Sequence, residues 1–226
     1  MNPHAPSESM TTEEELHLTL STEPYVLRGS RAEGERDLAA LAEDGRQEGV
    51  WLYSADQGLW FNLTRESEAE DAHMRVAFHD ADISRLGTRL TLYHTHPRAF
   101  AERLFEEEWN IFRSSGSFPD EGKMQDAYAK GIRKYCLEQM ALPSVDDVVS
   151  FSEIAEAHQD CELDFRIVSP VGVTHARVTP EPDMLGSVYA LLREQRNGMD
   201  AGKTMRSISG TLGGMLSLSL RRSPQG

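Results

Sequence analysis

Hydrophobic positions along the chain change period several times, and the changes mark out its elements. Leu38, Ala39, Leu41 and Ala42 recur at helical spacing and predict a short helix over 35–46, stopping near Gly45. Two runs rich in aromatic and β-branched residues, 50–53 and 59–63, flank Ser54-Ala55-Asp56-Gln57-Gly58 and predict a hairpin. A further strand is expected at 74–78. Another is expected at 89–96, stopped by Pro97. The period then lengthens. Phe100, Leu104, Trp109 and Phe112, and later Tyr128, Ile132, Tyr135 and Met140, recur at near-helical spacing on either side of a Ser/Gly/Pro loop at 114–120.

After this helical pair, Pro143-Ser144 opens a helix running to about His158. Strands follow at 163–169 and 171–178, joined around Pro170 to Gly172, and a last helix spans 181–196, with Pro182 near its start and Gly198 past its end. The order predicts an α/β domain with a mixed central sheet between helices. The domain is expected over 23–196, with residues 98–142 as an inserted helical hairpin. Residues 1–22 are polar and acidic and read as a flexible leader, with a short strand at 16–20. Residues 197–226 read as a Gly/Ser-rich tail carrying Ile208, Leu212, Met215, Leu216, Leu218 and Leu220.

Composition narrows the class. With 226 residues, 39% hydrophobic and 27% charged, the chain can bury a sizeable core without disulfides. Cys136 and Cys161 form no metal-knuckle or redox spacing, which suits a reducing compartment. No basic-apolar leader opens the chain and no run of eighteen apolar residues occurs, so a cytoplasmic protein with no membrane-spanning helix is expected. A net charge of −14, from 23 basic and 37 acidic side chains, would repel phosphates and argues against nonspecific nucleic-acid binding.

Three motifs bear chemistry. In Tyr93-His94-Thr95-His96-Pro97 the two imidazoles share one face of a strand that ends at the proline, so both can reach one ion at the rim of the sheet. In Ser144-Val145-Asp146-Asp147 the serine caps a helix and the aspartate stands in its first turn. That pattern is a capping motif and is also compatible with metal ligation by Asp147. Glu48, between the first helix and a hydrophobic strand, can face a cleft at the strand edge or stand in solvent.

In this order the three motifs resemble the JAMM (MPN-type) metallopeptidase family. Its pattern is a glutamate heading a strand, His-x-His-Pro ending a later strand, and Ser-x-x-Asp opening a helix. Phe165-Arg166-Ile167-Val168-Ser169-Pro170 is similar to the family's later strand and turn, and the resemblance runs over roughly 30–195. It implies a deaminase-like three-layer sandwich and Zn2+ held by His94, His96 and Asp147. It further implies Glu48 as general base, Ser144 as a donor to the oxyanion, and hydrolysis of an amide bond at the C-terminus of a ubiquitin-like protein. The family places only several residues between the second histidine and the serine, whereas here residues 98–142 intervene. Asp146, or Glu106, Glu107 and Glu108 within the insertion, are therefore alternative ligands, and the hairpin is expected to act as a lid or recognition arm.

Two other readings stand beside this one: a metal-free scaffold of the same fold that docks a partner, and a zinc amidohydrolase with a small or non-ubiquitin substrate. Of the remaining candidates, His79 with Asp80 and Asp82 reads as a surface turn, His158 as a helix-end residue and His175 as structural. Trp51, Trp60 and Trp109 read as core or interface aromatics, and Leu212-Gly213-Gly214 as a chance match to a ubiquitin-like terminus.

Overall fold

The computed structural model describes residues 26–45, 48–63, 86–115, 122–179, 186, 200–212 and 214–223. The expected leader, the strand at 74–78, the His79 turn and nearly all of the helix at 181–196 lie outside these residues.

A seven-stranded mixed sheet forms the centre. Its strands are β1 (Val26–Arg28), β2 (Gly49–Ser54), β3 (Leu59–Asn62), β4 (Arg89–Thr95), β5 (Glu162–Ser169), β6 (Gly172–Val178) and β7 (Leu216–Arg222), in the order β1-β3-β2-β4-β5-β6-β7. Every neighbouring pair is antiparallel except β4 and β5, which run parallel. The described helices are α1 (Arg31–Asp44), α2 (Arg98–Ser114), α3 (Gly122–Gln139), α4 (Val145–Ala157) and α5 (Ala201–Leu212).

Strand alternation sorts the core into two layers. On one face Val50, Leu52, Leu90, Leu92, Phe165 and Ile167 pack against Val148, Phe151 and Ile154 of α4 and against Met205, Ile208 and Leu212 of α5. The other face is smaller, with Trp60, Tyr93 and Val168 buried under Leu38 and Ala42 of α1. Helices therefore cover both sides of the sheet. No helix among the described residues is long and apolar enough to cross a membrane.

α1 begins at Arg31, ahead of the expected 35, because Ser30 and Glu33 form a capping box: Glu33 N donates to Ser30 Oγ at 3.3 Å and Ser30 N donates to Glu33 Oε2 at 2.8 Å. Apolar periodicity misses this first turn because its buried contact is Gly34, which lies flat against the Trp60 ring.

The C-terminal residues are not a trailing tail. Residues 201–212 form α5, and β7 closes the edge of the sheet along β6 from Gly172↔Arg222 to Val178↔Leu216. Met205, Ile208 and Leu212 bury one helical face, while Leu216 and Leu218 bury one strand face. The interspersed Gly and Ser residues had obscured both periods.

Where the sequence predicts two helices, the chain forms α2 and α3, packed against each other. α2 and α3 join through Phe112, tilted on Tyr128 at 5.0 Å between ring centroids, and through Arg133, whose guanidinium lies 4.3 Å over the Phe105 ring. The end of α3 belongs to the domain. Glu138 is buried, receiving Arg222 Nη1 at 2.9 Å, Arg222 Nη2 at 3.0 Å and the Ala201 amide at 2.9 Å. The Ala141 carbonyl accepts from Thr174 Oγ1 at 2.6 Å.

Candidate metal centre

Glu48, His94, His96 and Asp147 come from three separate stretches of chain and meet on the α4 side of the sheet. β4 carries His94 on the face of Leu90 and Leu92. Its partner strand β2 pairs Val50 with His94 and Gly49 with Thr95, so Glu48, just before Gly49, falls beside the histidines. β4 ends at Thr95, and His96 lies one residue beyond it, where its amide still donates to Val168 O at 2.8 Å and keeps the β5 register. Facing the histidines, α4 starts at the capping box of Ser144 and Asp147. Asp147 N donates to Ser144 Oγ at 3.0 Å, and Ser144 N donates to Asp147 Oδ2 at 2.6 Å.

The contacts are short and sheltered. His94 Nδ1 lies 2.6 Å from Asp147 Oδ1, His94 Nε2 lies 3.4 Å from Glu48 Oε2, and His96 Nε2 lies 3.4 Å from Asp147 Oδ2. His96 Nδ1 donates to the Met140 carbonyl at 2.8 Å, which orients the ring and turns Nε2 toward Asp147. Side-chain exposures are 17% for Glu48, 12% for His94, 9% for His96 and 6% for Asp147. Water is thus largely excluded.

Electrostatics follow from this packing. Burial alone would lower the His94 pKa, but the Asp147 carboxylate, with Glu48 behind it, more than reverses the effect and raises it. For Asp147 burial opposes ionisation, and the two imidazoles, His94 foremost, hold its carboxyl well below the usual range.

The donor chemistry fits a metal ion. One ligand atom each from Glu48, His94 and His96 lie within 4.8 Å of one another, so this group could hold a cation. His94 Nε2 is buried and faces Glu48 Oε2 at 3.4 Å without a well-formed hydrogen bond, an arrangement that a bound cation would satisfy better. Asp147 adds a second carboxylate on the far side of His94. Two imidazoles with one or two carboxylates suit zinc and similar borderline divalent ions.

The other sequence candidates do not converge here. Asp146 is exposed on α4, and Glu106 and Glu107 are exposed on α2. His158 caps the C-terminus of α4. His175 lies against Asp164, on the opposite face of the sheet from His94. Trp60 is a core residue, whereas Trp51 and Trp109 are only half-buried.

Two contributors had no sequence signal of their own. The Met140 carbonyl is a backbone group, and the Thr95 hydroxyl, between the histidines, reads only as the variable residue of His-x-His. No family model, curated protein or solved structure matches the chain.

Proposed function

We propose that the chain is a zinc-dependent amide hydrolase of the JAMM type, cleaving a peptide or isopeptide bond at the C-terminus of a ubiquitin-like protein. The observation that carries the reading is the convergence of Glu48, His94, His96 and Asp147 in one buried cluster, in which ligand atoms of Glu48, His94 and His96 lie within 4.8 Å of one another.

His94, His96 and Asp147 would hold the ion. Bound zinc supplies a Lewis acid and makes a water acidic enough to act near neutral pH. Glu48 takes a proton on its carboxylate and later hands it to the departing amine. His96, with Nδ1–H committed to Met140, keeps Nε2 oriented toward the ion. Ser144 accepts the Asp147 amide through its oxygen and retains its own proton for the oxyanion. Burial of the four side chains strengthens each of these interactions.

Elemental analysis of the purified chain tests the metal, with His94→Ala and Asp147→Ala expected to lose zinc and Glu48→Gln expected to retain it without turnover. A panel of ubiquitin-like C-terminal fusions, set against small amides, tests the substrate class. Absence of stoichiometric zinc from the wild-type chain would end the proposal.

A further inference from the structure

One hydroxyl spans the pairing that delivers Glu48. Thr95 is 3% exposed and sits between the two histidines, directly across from Gly49 in the β2–β4 register. The Gly49 amide donates to Thr95 Oγ1 at 2.7 Å, and Thr95 Oγ1 donates to the Gly49 carbonyl at 3.3 Å. Both backbone polar groups of the residue that follows Glu48 are thus held by a single side chain. The same residue carries a metal-site histidine on each side, so the backbone that sets His94 and His96 also sets Glu48.

We infer that Thr95 is a positioning residue: its hydroxyl fixes the backbone at Gly49 and so holds the Glu48 carboxylate at its place beside His94 Nε2. The inference rests on the hydrolase reading above. Valine has the same shape as threonine but neither donates nor accepts, so Gly49 would lose the 2.7 Å and 3.3 Å bonds to Oγ1 and the end of β2 would be held by its ladder pairing with β4 alone. A displacement of about 1 Å in a catalytic base lowers turnover by about 100-fold while leaving substrate contacts in place. Serine keeps the hydroxyl.

The test uses the full chain, zinc-loaded, as wild type, Thr95→Val, Thr95→Ser and Glu48→Gln. Folding is checked by circular dichroism and Tm, and Thr95→Ala serves if the valine variant does not fold. Three readouts are taken: zinc stoichiometry, the visible spectrum of the cobalt-substituted protein, and hydrolysis of ubiquitin carrying a C-terminal aminomethylcoumarin.

Thr95→Val should keep zinc and KM, lose about 30- to 100-fold in kcat, and shift the cobalt spectrum as Glu48→Gln does. Thr95→Ser should stay within about threefold of wild type on every readout. Valine turnover within threefold of wild type overturns the inference, as does zinc loss in step with kcat. If wild type binds zinc but leaves this probe intact, the cobalt spectrum decides, and a valine spectrum identical to wild type overturns the inference. A wild-type chain that takes up no zinc sinks the hydrolase reading instead.

Discussion

His96 donates its Nδ1–H to the carbonyl of Met140 at 2.8 Å, so a candidate metal ligand is oriented by the residue that follows α3. Residues 138–147 continue this role in one stretch. Glu138 anchors to Arg222, Met140 orients His96, Ala141 binds Thr174, and Asp147 faces His94. The end of α3 and the turn after it therefore support the candidate site.

That support predicts two outcomes for one region. Replacing Thr174 by valine removes the 2.6 Å bond to Ala141 O and loosens the turn that presents Met140. Stability should fall by about 1 to 3 kcal/mol. Zinc affinity should fall by about tenfold, the usual effect of losing support for a ligand. Trimming the outer turns of α2 and α3 should leave zinc affinity unchanged. Chelator competition and denaturant titration read both.

Without metal, the His94–Asp147 pair is itself a buried ion pair, and its partners are not equivalent to remove. Asp147→Ala should destabilise the chelator-treated protein by about 3 to 5 kcal/mol, because it leaves buried His94 without its carboxylate partner and removes the Asp147 half of the capping box. The His94→Ala/Asp147→Ala double variant should recover part of that loss. A double-mutant cycle in urea, run in chelator, gives the coupling. Strictly additive losses would mean the pair contributes nothing.

Gly34 provides a case where two effects compete. Alanine is the better helix former by about 1 kcal/mol. A Cβ at Gly34, however, would sit 2.1 Å from Cε2 of the buried Trp60 ring, which also packs on Tyr53 and Tyr93 at 4.9 and 4.8 Å between centroids. Overpacking of this kind costs about 1 to 3 kcal/mol or more. The clash should win, and Gly34→Ala should lower Tm rather than raise it.

Acid should weaken the opposite face of the sheet. Burial of Asp164 opposes its ionisation, but His175 first, then Arg166 and Arg31, bring its pKa down from 3.8 to about 2. Because the folded pKa is depressed, the stabilisation is complete above about pH 4 and is lost as the pH falls from 4 toward 2. The stability difference between wild type and Asp164→Asn should therefore shrink across that window. A difference that stays constant there would show that Asp164 keeps an ordinary pKa.

Thiol labelling reads the core directly. Cys136 is fully buried, and burial, helped by Glu108 and Glu102, pushes its thiol up to about 11. At pH 8 it should be almost entirely protonated and unreactive, while the half-buried Cys161 labels first. Mass spectrometry after brief alkylation distinguishes the two sites.

Local pattern was enough to identify most of the elements. The β2–β3 hairpin, β4 ending at a proline, the two inserted helices, α4 opening at Pro143-Ser144 and the β5–β6 pair each carry their own period and punctuation, which are properties of neighbouring residues. The histidines and Asp147 were legible for the same reason, since strand alternation and a helix cap act within a few residues. Other features depended on contacts between distant residues. The residues after 197 read as a tail until β6 offered them an edge to pair with. The Met140 carbonyl and the Thr95 hydroxyl acquire their roles only from what folding places opposite them, and Glu48 meets His94 only because β2 pairs with β4. A sequence states which groups a residue has to offer. Backbone carbonyls look alike at every position, and so the partner each one meets was decided by the tertiary structure alone.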